Sequence, residues 1–224
     1  MTMLQASTLQ FLRELKENNH KEWFDANRKR YDNAKADYLQ LITEVLNGVA
    51  QNDKSLAPIE PKQALFRINR DVRFSKDKSP YKTNLGAGFG KGGKKMILAG
   101  YYLHCEPGAS FIAGGIWMPP APELKKIRQE IDYCFEEFNG IVTNPDFIKA
   151  VGGLESTNEM TLSRPPKGYE DTNPAIAYLK LKSFIASTTI SDQDLTSNHL
   201  AKKIVDACEA IQPLNNFINK ALEN

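Results

Sequence analysis

Apolar residues recur every three to four positions from residue 24 to residue 49, and then every second position from residue 66 to residue 74. Phe24, Asn27, Tyr31, Ala34, Tyr38, Leu41, Val45 and Val49 share one face of a helix running over residues 20–49. Phe66, Ile68, Arg70, Val72 and Phe74 would share one face of a strand. Two further strand-like runs, residues 96–104 and 110–118, are separated only by the turn candidate Glu106-Pro-Gly-Ala109, and so short a connection implies antiparallel pairing. Helical spacing then returns in Leu124, Ile127, Ile131, Phe135 and Phe138, and again in Leu200, Ile204, Cys208 and Ile211. Helices, then a block of strands, then helices excludes an alternating βαβ chain. The order specifies an α+β fold, with an antiparallel sheet built from hairpins and packed against N- and C-terminal helices.

Local signals refine this outline. Ser7-Thr-Leu-Gln10 has the form of a capping box, opening a helix that buries Leu9, Leu12 and Leu15 and stops near Asn18. Residues 53–61, with two prolines, read as a loop, and the glycine-rich motif of residues 88–94 as a hairpin tip leading into the next strand. Asn144-Pro145 begins a short helix that ends at Gly152-Gly153. Residues 182–190 form one more strand, and Pro213 starts a last amphipathic turn or two. No repeat or long linker interrupts residues 1–224, so one domain is expected.

The partition of charge is the strongest functional signal. Ten Lys and Arg against two Asp lie between Lys62 and Lys95, a local charge of +8 on a chain that carries +2 overall. Such a segment makes a local positive potential that attracts anions. Arg67, Asn69, Asp71 and Arg73 would form a polar strand face, and arginine offers forked contacts to phosphate or carboxylate. Arg70 alternates with Ile68 and Val72, so it is expected to be buried and paired with a carboxylate, with Glu22 or Asp25 as the partner. Lys76, Asp77, Lys78, Tyr81 and Lys82 follow in a turn-rich stretch, and Asn27 and Arg28 would contribute from the preceding helix. The expected ligand is a small molecule bearing phosphate or carboxylate. A metal-assisted phosphoester- or nucleotide-acting enzyme, with Asp71 or Asp77 as metal ligand or base, is the alternative. Nucleic-acid binding is the third reading, set against the near-neutral total charge.

Other chemistries have little support. Gly88-Phe-Gly-Lys-Gly-Gly-Lys94 satisfies the spacing of a phosphate-binding loop, but Lys95 stands where Ser or Thr is needed and a strand follows, not a helix. His20, His104 and His199 are isolated, and His104 and Cys105 would point to opposite faces of a strand, so no metal site or cofactor is expected. Three scattered cysteines, Cys105, Cys134 and Cys208, suit reduced buried thiols rather than disulfides. With no leader-like start and no apolar run of about 20 residues, the expectation is a cytoplasmic protein without membrane contact. Nothing in the sequence specifies an oligomeric state.

Longer words in the sequence are similar to those of the bacterial and fungal family called domain of unknown function 2461. They include Glu22-Trp-Phe-Asp-Ala-Asn-Arg28, Phe74-Ser-Lys-Asp-Lys-Ser-Pro-Tyr-Lys82, Gly100-Tyr-Tyr-Leu-His104 and Gly114-Gly-Ile-Trp-Met-Pro119. Blocks around Arg128, Tyr169 and Leu179 extend the resemblance over nearly the whole chain. It implies an α+β domain and carries no activity, substrate or catalytic residue. Asn173 stands before Pro174 where relatives often have His.

Overall fold

A computed structural model describes residues 2–56, 58–91 and 97–223. The N-terminal part is helical: α1 (Ala6–Glu17), α2 (Lys21–Ala26) and α3 (Arg28–Val49), followed by the short α4 (Pro61–Ala64). Strands β1 (Leu85–Gly90), β2 (Gly100–Cys105) and β3 (Ser110–Ile116) come next. Helices α5 (Ala121–Tyr133), α6 (Phe135–Val142), α7 (Pro145–Val151) and α8 (Ile176–Leu179) precede β4 (Phe184–Ile190), α9 (Asp192–Leu195) and α10 (Leu200–Glu223). The strands form one antiparallel sheet in the order β1-β2-β3-β4, so the α+β architecture stands.

Alternation divides the sheet into two unlike faces. Phe89, Tyr101, Leu103, Ile112, Phe184 and Ala186 are buried against helices, chiefly α10 and α3. Tyr38 of α3 reaches this layer and donates its hydroxyl to the Leu103 carbonyl at 3.0 Å. The other face carries Gly86, Gly88, Tyr102, His104, Phe111, Ala113, Ser187 and Thr189. Cys105 and Cys208 are buried thiols, Cys134 is half-buried, and burial pushes the Cys105 thiol up to about 12.

Several local expectations are overturned, each for a definable reason. Residues 65–74 are not a strand; only isolated bridges, Leu65 to Ala87 and Asn69 to Tyr81, join them to neighbours. Asp71 accepts from its own Arg73 amide at 3.3 Å, and Asp77 from the Ser79 amide at 2.9 Å, so side chains take amides a ladder would have used. Phe74 is 96 % exposed as a result. Gly88 and Gly90, expected at a hairpin tip, lie with Gly86 in β1. A Cβ on Gly86 would meet the Tyr102 hydroxyl at 2.9 Å and one on Gly90 the Gly100 Cα at 2.9 Å, so glycine here permits close strand pairing. Residues 92–96, with the rest of that glycine-lysine motif and the start of the run expected at residue 96, lie outside the described residues.

The capping box at Ser7 does not form. The N-cap of α1 is Gln5, and Asp37 of α3 accepts from the Gln5 amide (2.8 Å) and the Thr8 hydroxyl (2.6 Å). A capping box does open α9, between Ser191 and Asp194, whose carboxyl is held down to about 2 by Lys203 and Ser191. The long helix expected over residues 20–49 is broken at Asn27, whose side-chain amide binds the Trp23 carbonyl at 2.9 Å. Pro213, by contrast, lies inside a continuous α10, because buried Ile211, Leu214, Phe217 and Ile218 hold the helix across the lost backbone bond.

Candidate functional site

The C-terminal end of α1 meets the chain that runs from Arg70 to Asn84. Asn19 clasps this chain at two points: its amide nitrogen donates to the Tyr81 carbonyl (2.9 Å), and its amide oxygen accepts from the Tyr81 amide (3.1 Å). Tyr81 is 6 % exposed and stacks on Phe24 of α2, with ring centroids 3.9 Å apart. The residue after it is thereby committed to one direction. The Lys82 amide donates to the Ile68 carbonyl at 2.8 Å, and its ammonium lies 5.3 Å from the Phe66 ring centroid. Burial, reinforced by the charge of Arg67, lowers the Lys82 pKa below the ordinary lysine value of 10.5.

Arg70 closes the other side. Its guanidinium pairs with Asp77 and donates to the Ser79 carbonyl at 3.2 Å. The Ser79 hydroxyl and amide, followed by Arg70, hold the Asp77 carboxyl far below the usual carboxylate range. The result is a cavity of about 370 Å³ lined by Lys16, Asn19, Arg70, Asp77, Ser79, Tyr81, Lys82, Thr83 and Asn84.

This geometry sorts the residues expected from the sequence. Arg70, Asp77, Tyr81 and Lys82 come together around the cavity. Arg73 does not: it is spent on Asp71 through contacts of 3.0 and 2.7 Å, and its guanidinium lowers the Asp71 pKa. Lys78 donates to the Val72 carbonyl at 2.9 Å, outside the lining, while Arg67 and Lys76 are exposed. Arg28 lies 5.5 Å from the Phe24 ring centroid, and Asn27 accepts from Arg30 at 3.0 Å; both support the helix junction and do not line the cavity. Asp71 and Asp77 are each engaged by an arginine, and no cluster of three metal-ligating side chains occurs among the described residues. Asn173 binds Asp132 at 2.6 Å and accepts from the Ala175 amide at 2.8 Å, which are stabilising contacts of a turn.

Arg70 corrects the expectation made for it. Its side chain is 27 % exposed, and its partner is the 60 % exposed Asp77. Glu22 faces His20 and Asp25 faces Lys21. An ion pair this wet contributes little, so Arg70→Ala should lower the melting temperature by no more than about 2–4 °C. Differential scanning calorimetry measures it; a larger drop would mean the pair acts as a buried one.

Sequence reasoning missed a chain of polar groups beside the cavity. Thr83 donates to Glu106 at 3.0 Å and Lys16 contacts the same oxygen at 3.3 Å. The other Glu106 oxygen lies 3.2 Å from His104 Nε2, and His104 Nδ1 lies 3.0 Å from the Tyr102 hydroxyl. Desolvation pushes the Glu106 carboxyl up, but the bonds from His104, Thr83 and Lys16 together outweigh it and leave it lowered. The signal was present: Tyr102, His104 and Glu106 stand two residues apart, so a strand places them on one side.

The sheet and its helices define a class, an α+β protein with a lysine- and arginine-lined cavity where the helical N-terminal part meets the first strand. The chain belongs to the family of conserved hypothetical proteins DUF2461, whose family model matches residues 7–217. No curated protein and no solved structure matches it significantly. Among the described residues no helix is long and apolar enough to cross a membrane.

Proposed function

We propose that the protein binds a small phosphate- or carboxylate-bearing ligand in the cavity bounded by Lys16, Arg70 and Lys82. The observation that carries this reading is Lys82. It is a partly desolvated ammonium with no carboxylate partner among the described residues, set in the wall of a cavity that Lys16 and Arg70 also line. Holding such a charge costs stability, and an anion entering the cavity would offset that cost.

Inorganic phosphate provides the test. At low ionic strength and 100 times its dissociation constant it should stabilise the fold by about 2.7 kcal/mol, read from thermal unfolding. Lys82→Met keeps the stem over Phe66 and removes the charge, so it should fold at least as well as wild type and lose the protection. Equal protection of both proteins would reject the site and point to general exclusion of the anion from the surface. Replacing phosphate by single-stranded DNA tests the nucleic-acid reading, which requires a steep fall of affinity with salt.

The pH dependence follows from the sign of the Lys82 shift. Its folded pKa is lowered, so the unfolded chain binds more protons in the window between that value and 10.5, and this residue's contribution to stability rises with pH there. Phosphate affinity runs the opposite way. It is fully present below the lowered pKa and lost above it, and binding within the window takes up a proton. Calorimetric titrations in two buffers of different ionisation enthalpy measure this uptake, which Lys82→Met should abolish.

A further inference from the structure

The face of the sheet that carries Tyr102, Phe111 and Thr189 holds a second cavity, of about 570 Å³, a volume typical of small-molecule sites. Its floor has little side-chain bulk at Gly100, Ala113 and Gly115 of β2 and β3, all three buried, and is completed by Ile185, Ser187 and Thr189 of β4. Tyr102, Phe111 and Trp117 contribute aromatic surface around that floor. Trp117 is 61 % exposed, an unusual position for the largest apolar side chain. The Tyr102 ring is held in place by its hydroxyl contact with His104, whose own ring stacks on Phe111 with centroids 4.9 Å apart.

Among the described residues, one charged group lines this cavity. Glu155 is fixed beside the edge strand by its amide, which donates to the Ile185 carbonyl at 2.8 Å, and its carboxylate accepts from the Ser187 hydroxyl. Among the described residues it has no cationic partner. A carboxylate and the electron-rich faces of three aromatic rings select the same sign of charge.

We infer that this groove is a binding site for a small organic cation with a flat, largely apolar body, whose ring lies on the glycine floor and whose positive group faces Glu155. The site is distinct from the anion cavity and selects the opposite charge. A flat body fits because the small residues Gly100, Ala113 and Gly115 let a ring come close to the sheet, and the aromatic side chains contribute cation–π attraction.

Phenyltrimethylammonium, benzyl alcohol and benzenesulfonate are the probes, titrated into the intact protein by ligand-observed NMR. The cation should bind about tenfold more tightly than the neutral alcohol, and the sulfonate most weakly. Glu155→Gln should erase the preference for the cation while retaining the alcohol. Trp117→Leu, at an exposed position that does not threaten the fold, should weaken the cation and the alcohol alike. The inference is overturned if the sulfonate binds as well as the cation, if the charge preference survives Glu155→Gln, or if the wild-type protein takes up no cation.

Discussion

Gly115→Ala is expected to lower the free energy of unfolding by about 4 kcal/mol, measured by urea denaturation. Gly115 has φ +120°, where side chains are strained, and a Cβ built there would stand 1.9 Å from the Phe184 carbonyl oxygen. That oxygen belongs to the partner strand, since Gly115 pairs with Ile185 in the register of β3 and β4. The clash therefore cannot be relieved by turning a side chain; the two strands must separate. Gly108→Ala is the internal comparison. It also has positive φ, +79°, but an added Cβ would meet nothing within 4 Å, so only backbone strain of about 1 kcal/mol remains. Equal losses at the two positions would show that the close approach of β3 to β4 is unimportant.

Phe24→Ala should cost about 3–5 kcal/mol, the usual range for emptying a buried aromatic site. Phe24 is 1 % exposed and lies between Tyr81, at 3.9 Å, and Tyr31, at 5.1 Å. It joins the N-terminal helices to the chain that carries Lys82, so its loss acts on site and fold together. Phosphate protection should fall in this variant even where it remains folded, because Tyr81 loses the ring that fixes it. A loss of less than about 1 kcal/mol would mean the stack merely fills space. Full retention of phosphate protection would detach the cavity from the helical layer.

Much of the architecture was legible because the elements concerned are long or sharply punctuated. The face of α3, the turn between β2 and β3, and α7 between Asn144 and Gly152 follow from patterns that need no distant partner. Gly152 adopts a left-handed conformation at the end of α7, where the sequence placed the stop. The candidate site was legible only as a region. The density of Lys and Arg between residues 62 and 95 marks it, but charge density does not say which cations are already paired.

That pairing was decided by tertiary structure. Arg73 turned to Asp71 and Arg70 to Asp77 because the expected strand gave way to side-chain hydrogen bonding, and this left Lys82 as the partly buried ammonium. Lys16 in α1 and Asn19 just beyond it enter the cavity from about sixty residues away in sequence, a proximity no local period encodes. The sequence by itself determined the order of helices and strands and the position of the positive charge, since periodicity and net charge are local sums along the chain. Only the folded packing decided which charges are neutralised and which face the cavity, because desolvation and ion pairing depend on neighbours brought from elsewhere in the chain.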